Sequence, residues 1–244
     1  MRSVQVLAAA LLLWSVGAAA QEIPAGTVLP VMLNSTLDAR RDQPGKIIAG
    51  QVMQDVRLPG GAKIPSGAKV FGHVVSVQRG AGAPSQVAIK FDAIEVRGRR
   101  LPLTAHLRAL GSMEEVFQAR LPTNSWDDYG TSTSDWNTQQ IGGAEVYRGS
   151  GQLISAGQVV GRASDDGSVM ANLVAAPSRG CAGSSEQEQA LWKFSPWSCG
   201  TYGFRDLTIV RLEDANGEIV LQSSGNVHID GGSGWLLRVD NATH

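Results

Sequence analysis

The side chains able to do chemistry are few. Ser66-Gly67-Ala68-Lys69 has the spacing of the S-x-x-K serine acyl-transfer enzymes. In those enzymes the serine opens a helix, so that the lysine one turn later shares its face and takes its proton. Here Pro65-Ser66-Gly67 reads as a turn feeding a strand, so the helix that the chemistry needs is missing. Cys181 and Cys199 are the two cysteines, and Cys199 in Trp197-Ser198-Cys199-Gly200-Thr201 could serve as a thiol nucleophile. Neither has a histidine within a few residues to draw off its proton. An even pair in an oxidising compartment closes instead, so a Cys181–Cys199 disulfide is expected, with about 3 kcal/mol from the chain-entropy account.

Metal chemistry has as little support. His73, His106, His228 and His244 are scattered, and zinc needs three or four converging ligands. Acidic pairs occur at Glu114-Glu115, Asp127-Asp128, Asp165-Asp166 and Glu213-Asp214. Asp214-Ala215-Asn216-Gly217-Glu218 has the start of a calcium loop without its remaining oxygens or distal glutamate, and reads as a hairpin turn. No G-x-S-x-G, Walker loop, H-E-x-x-H or dinucleotide glycine pattern is present. No catalytic residue, metal or cofactor is therefore assigned. Aromatic side chains remain: Trp126, Tyr129 and Trp136 lie in a polar stretch, where they could stack on a sugar, dock a partner or pin the loop to the body of the protein.

The chain of 244 residues is 43% apolar and 18% charged, with 29 glycines, 10 prolines and a net charge of −1. Few charges and many turn formers exclude coiled coils and long bundles. A near-neutral balance gives no pull toward phosphates, so nucleic acid is not an expected partner. Arg2, the apolar run Val4 to Val16 and Ala18-Ala19-Ala20 form the three parts of a cleavable signal peptide, with cleavage after Ala20. The run is shorter than the roughly 20 residues that span a bilayer. An exported protein, periplasmic or extracellular, with no integral membrane segment after cleavage, is expected.

The elements are mostly strands. Ile23-Pro24-Ala25-Gly26 sets a turn before a strand at Thr27 to Leu33, and Ile64-Pro65-Ser66-Gly67 repeats it before Ala68 to Val77. Lys46 to Val56 is a further strand, as is the alternating segment around Val87, Ile89 and Phe91. Leu101, Leu103, Ala105, Leu107 and Ala109 alternate with polar residues, which predicts one buried and one wet face. Met113 to Ala119 could form a short helix, and Leu121 to Gly143 reads as a polar loop. Strand candidates resume at 151–162, 169–175, 189–194, 207–212, 218–222, 226–229 and 235–239, of which Val169 to Ala175 and Gln189 to Phe194 are ambiguous with short helix. Asn216-Gly217 marks a hairpin. Short strands punctuated by Gly and Pro call for a closed or covered sheet, hence an all-β, mainly antiparallel small barrel. The last strand could close it by pairing with an early one.

The segments Ile23 to Leu33, Pro44 to Val56 and Ile64 to His73, in that order and spacing, resemble the β-barrel domain of TrbI/VirB10-type proteins of conjugation and type IV secretion. The resemblance covers roughly residues 23–107, with Gln86 to Leu107 as the following pair of strands. It implies a periplasmic barrel working in an envelope assembly. Gln189 to Phe194 and Cys199 to Phe204 are similar to exported bacterial proteins, acidobacterial ones among them, of unassigned activity. The expected layout is a signal peptide at 1–20, the barrel part at 21–110, a polar loop insertion at 111–150 and a disulfide-containing, β-rich region at 151–244 that could complete the same barrel. The expected function is a non-enzymatic envelope protein, an interaction module that binds an envelope partner or itself. A glycan- or peptidoglycan-binding domain using exposed aromatics, Trp126, Tyr129 and Trp136 with Trp192, Trp197 and Trp235 as further candidates, is the alternative, and a hydrolase using Cys199 or Ser66 the third reading.

Overall fold

Both Pro-containing corners form as the repeat predicts, and by the same bonds. The amide of Thr27 donates to the Pro24 carbonyl and that of Ala68 to the Pro65 carbonyl, each at 3.1 Å. Gly26 and Gly67 stand at φ +81° and +80°, the left-handed position of a type II turn that glycine fills without strain. Each corner then clips to its neighbouring strand alike. Gly26 donates to Val239 and receives back through Thr27, while Gly67 and Ala68 do the same with Val52.

The computed structural model describes residues 22–80, 82–120, 136–142, 145–155, 157–163, 169–173, 185–189, 193–195, 198–210 and 217–240. The strands of the first half are β1 (Val28–Leu33), β2 (Leu37–Asp38), β3 (Ile47–Val52), β4 (Val56–Arg57), β5 (Lys63–Ile64), β6 (Lys69–Gln78), β7 (Ser85–Val96), β8 (Arg99–Pro102) and β9 (Ala105–Gly111). A short helix α1 (Met113–Gln118) follows, capped by the Ser112 hydroxyl on the Glu115 amide. Next come β10 (Trp136–Gln139), β11 (Glu145–Gly149), β12 (Gln152–Ser155), β13 (Gln158–Ala163), β14 (Val169–Leu173) and β15 (Ser185–Gln189). The chain ends with β16 (Gly200–Tyr202), β17 (Leu207–Val210), β18 (Glu218–Ser223), β19 (His228–Ile229) and β20 (Gly234–Val239).

The fold is all-β apart from α1. Its main sheet has ten strands in the order β16-β9-β20-β1-β3-β6-β7-β18-β17, with β8 also on β7. Every pairing is antiparallel except β16 on β9. The sheet curls into a nearly closed barrel. Its two end strands meet through one side chain, the Thr201 hydroxyl donating to the Leu207 carbonyl at 2.8 Å. The last strand does pair with the first, Trp235 opposite Val31 and Leu237 opposite Leu29. Strands β17 and β18 pair as a hairpin with Val210 opposite Val220, a register that does not put Asn216-Gly217 in a two-residue turn; Gly217 stands at φ +72° just ahead of β18, and Asn216 lies outside the described residues. The C-terminal region thus supplies β16, β17, β18 and β20 to the same barrel.

Two expectations need correction. The alternation from Leu101 to Ala109 is not one strand. It divides into β8 and β9 on different neighbours, and β9 carries a bulge. Leu236 faces Ala109 while Leu237 faces Leu107, so Arg108 is the extra residue. A bulge reverses the side-chain parity beyond it. Ala105 and Leu107 face the barrel core, as does Leu110, whereas Ala109 joins a second cluster outside. The stretch 111–150 is also more than a loop, since it contains α1, β10 and β11. Strands β10 to β15 form a six-stranded meander in chain order. Backbone pairing across successive hairpins orders polar segments whose side chains give no hydrophobic period.

Trp235 is fully buried and meets Phe91 edge-on, ring centroids 5.9 Å apart. Its Nε1 has no hydrogen-bond acceptor among the described residues. Trp235→Ala is therefore expected to cost about 3–5 kcal/mol in urea unfolding, as other large core truncations do. Trp235→Phe should cost much less, because it also removes an N–H that folding strips of water without return.

Candidate functional site

The main concentration of buried polar side chains lies where the meander packs on the outside of the barrel. Val28, Ala109 and Leu236 point outward from three adjacent barrel strands and meet Val116 of α1, Ala119 at its C-cap, Ile141, Val146, Leu153 and Phe194. Around this apolar seam Arg108, Thr138, Gln140, Arg148, Ser155, Lys193, Ser195 and Ser198 are all buried. Such groups cost free energy unless bonded.

Backbone carbonyls supply several of the partners. Arg108 Nε donates to the Ser198 carbonyl at 3.1 Å, so the bulged residue of β9 ties the barrel to the segment ahead of β16. The Ser198 amide and hydroxyl both donate to the Ser195 carbonyl, at 3.0 and 2.9 Å. Ser195 and Lys193 flank Phe194, whose backbone bridges Ile141: the Ile141 amide donates to Lys193 and the Ser195 amide to Ile141. Thr138 Oγ1 donates to the Ala119 carbonyl at the end of α1.

Burial, and then the neighbouring Arg238, draws the Arg108 guanidinium below its ordinary pKa. Burial first, and then Arg120, lowers the Lys193 amine to about 8. Lys193 and Ser195 would be the natural candidates for a base and a nucleophile. Ser195 Oγ has no hydrogen-bond partner among the described residues, so the amine does not activate it. What the arrangement does chemically is lock one sheet onto the other.

The residues singled out in the sequence fall elsewhere. Ser66 sits exposed in its turn, its amide bonded to Asp55 Oδ1 at 2.7 Å, and Lys69 opens a strand; the two share no helix. Cys199 adjoins β16, its amide donating to the Tyr202 hydroxyl and its carbonyl accepting from it, each at 2.9 Å. Cys181, Trp126, Tyr129 and His244 lie outside the described residues, and of Trp136 only the backbone is described, opposite Arg148. The other histidines each face aspartate: His73 Nδ1 is 2.7 Å from Asp92, His106 Nδ1 2.5 Å from Asp240, and His228 lies 3.1 Å from Asp230 and 3.6 Å from Asp38. Among the described residues no three metal-ligating side chains converge. The seam left one legible trace, a polar Arg108 inside an apolar run; Lys193 and Ser195 gave none.

Another polar knot holds β2 to β19. Asp38 accepts from the Asn226 amide and the Arg40 backbone, and these, with His228 and Arg41 nearby, hold its carboxyl below the usual range. That contribution is present above the ordinary aspartate value of about 3.9 and is lost as pH falls through the lower folded value.

Fold and seam together define an all-β, barrel-like protein with a second sheet on its outside. No model of a known protein family matches the chain, and no curated protein matches it.

Folded Lys193 releases its proton near pH 8, whereas an unfolded lysine holds it to about 10.4. The folded state binds fewer protons across that window, so stability rises as pH climbs through it. Lys193→Met is expected to stabilise the protein at neutral pH by about 1–3 kcal/mol, with the gain fading toward alkaline pH. Arg108→Met should do the reverse, costing about 2 kcal/mol, because the Ser198 carbonyl loses its donor inside the seam. Urea unfolding of both variants at neutral and alkaline pH separates the two cases.

Proposed function

We propose that this chain is an exported, non-enzymatic envelope protein whose barrel acts as an interaction module in an assembly of the secretion or conjugation type. The observation that carries the reading is the arrangement of the three segments that resemble TrbI/VirB10-type barrels. They supply β1, β3 and β6, which are consecutive neighbours in the main sheet, with β7 next to them. The matching corner bonds at Gly26 and Gly67 support it too, since they make the two motif turns equivalent parts of one barrel. Arg108, Thr138 and Ser198 of the seam and the His–Asp pairs are hydrogen-bonded within the fold, which suits a protein that works by presenting surfaces. No helix among the described residues is long and apolar enough to cross a membrane.

Crosslinking in intact cells of the native host, with a photoreactive residue at exposed positions of the barrel such as Ile47 or Arg99, tests the reading. Recovery of a defined envelope protein that copurifies with the chain is expected. A chain that crosslinks to no envelope component refutes it.

Export has its own check. Mass spectrometry of the secreted or periplasmic protein should give a mature chain beginning at Gln21, lighter by two hydrogens than its reduced form, from a Cys181–Cys199 bond. A chain that keeps its first 20 residues, or two thiols that alkylate without reduction, would count against export to an oxidising compartment.

A further inference from the structure

The net charge of −1 conceals an uneven distribution. Strands β7 and β8 join through Arg97-Gly98, a two-residue turn in which Val96 faces Arg99 and both turn residues have positive φ, +51° and +76°. That is a type I′ turn, whose first position suits asparagine, aspartate or glycine because their backbones accept the left-handed region. An arginine there gains the turn nothing and costs backbone strain. Arg99 and Arg100 follow and are exposed too, so three arginines crowd one hairpin end.

The register adds a fourth cation. Glu95 lies opposite Arg100 on one side and Lys69 on the other, and Lys69 is exposed. Arg100 is laid on the Phe71 ring, its Cζ 5.1 Å from the centroid, which holds it on the outer wall. Among the described residues Lys69, Arg97 and Arg99 form no ion pair. The β4–β5 hairpin lies between β3 and β6 in the chain, at this same end, and adds exposed Arg57. At the opposite end the cations are tied down: Lys46 to Asp42 at 2.7 Å, Arg41 to Asp38 at 3.7 Å, and Arg79 to the Asp42 carbonyl at 2.9 Å. Like charges gathered without partners repel one another and do nothing for the fold.

We propose that this end of the barrel docks on an anionic phospholipid surface. The proposal rests on the reading of the chain as an envelope protein and names what the barrel stands against. A guanidinium donates two parallel bonds to a phosphate, so arginine suits lipid headgroups. Composition argues against a protein partner here. Protein interfaces are anchored on buried aromatic and aliphatic side chains, and the large exposed apolar side chains, Ile47, Met113, Phe117, Tyr147 and Val159, all lie elsewhere. A hairpin end that carries charge without an apolar anchor fits a flat, fluid surface that it touches without entering. The contact is electrostatic, peripheral and reversible.

Cosedimentation of the exported chain with vesicles tests this. Binding to phosphatidylglycerol vesicles and none to phosphatidylcholine is expected, weakening steeply as salt rises from about 0.01 M to about 1 M, over which the Debye length falls from about 30 Å to about 3 Å. Removing one cation of the hairpin, by Arg97→Asn or Arg99→Gln, should weaken binding about fivefold, and Arg97→Asp should weaken it further. Asparagine and aspartate suit the turn, so neither substitution at 97 should lower Tm, which separates lost docking from lost folding. Arg40→Gln, at the opposite end, removes the same charge from an exposed position and should leave binding unchanged. The proposal fails if the chain ignores phosphatidylglycerol at low salt, if the hairpin variants bind like the native chain, or if Arg40→Gln weakens binding as much as they do. It fails also if a DNA duplex or an acidic envelope protein binds through Arg97 and Arg99 while vesicles do not. A chain that crosslinks from position 47 to an envelope protein but binds no vesicles overturns the docking and leaves the interaction-module reading standing. Vesicle binding by a chain that finds no envelope protein does the opposite.

Discussion

Three neighbouring barrel strands are buried on both faces, and the rest of the molecule follows from covering them. On β20, Trp235 and Leu237 fill the barrel while Leu236 between them points out, and all three are buried. On β1, Leu29 and Val31 face in and Val28 faces out; on β9 the bulge at Arg108 turns Ala109 outward beside them. A barrel wall normally needs one apolar face, with the other left to water. Here the outer face is apolar too, so α1, Ile141, Phe194 and the meander are drawn onto it. The second sheet does not close the barrel; it shields the part of the wall that water would otherwise meet.

That cover brings backbone and polar side chains into a dry seam. Arg108 reaches the Ser198 carbonyl, Ser198 turns back on Ser195, and the bridge between Ile141 and Phe194 is closed on both sides. These bonds are directional and geometrically demanding, so they fix how the meander sits, whereas the apolar contacts alone would tolerate sliding. Lys193 shows the cost of the same design. Its amine is taken from water with Arg120 beside it, and its proton is held less firmly as a result.

The turn chemistry was open to reading in the residues themselves. Pro24 and Gly26, repeated as Pro65 and Gly67, restrict φ in a way that few other residues can, and both corners form accordingly. Met113 to Gln118 is a helix because Ser112 caps it, a contact within four residues. The strand at Leu101 to Ala109 was misread because a bulge leaves no mark in a period-two pattern: Arg108 sits where a wet residue belongs, yet it is buried by partners about 90 residues away in the chain. The strands β10 and β11 were missed because Thr138 and Arg148 are buried polar residues, and an apolar-polar alternation cannot reveal a face whose inward side is itself polar.

By itself the sequence determined the class of the fold and its corners, since glycine and proline constrain the backbone before any tertiary contact exists, and β-branched and apolar runs need a sheet to bury them. It determined also that the last strand is apolar enough to pair inside the molecule. Only the tertiary structure decided which face each residue took on β9, that the segment after α1 joins a second sheet, and that Arg108, Lys193 and Ser195 share one seam. Those outcomes depend on register and on contacts between residues far apart in the chain, and a one-residue shift in register exchanges the two faces of a strand.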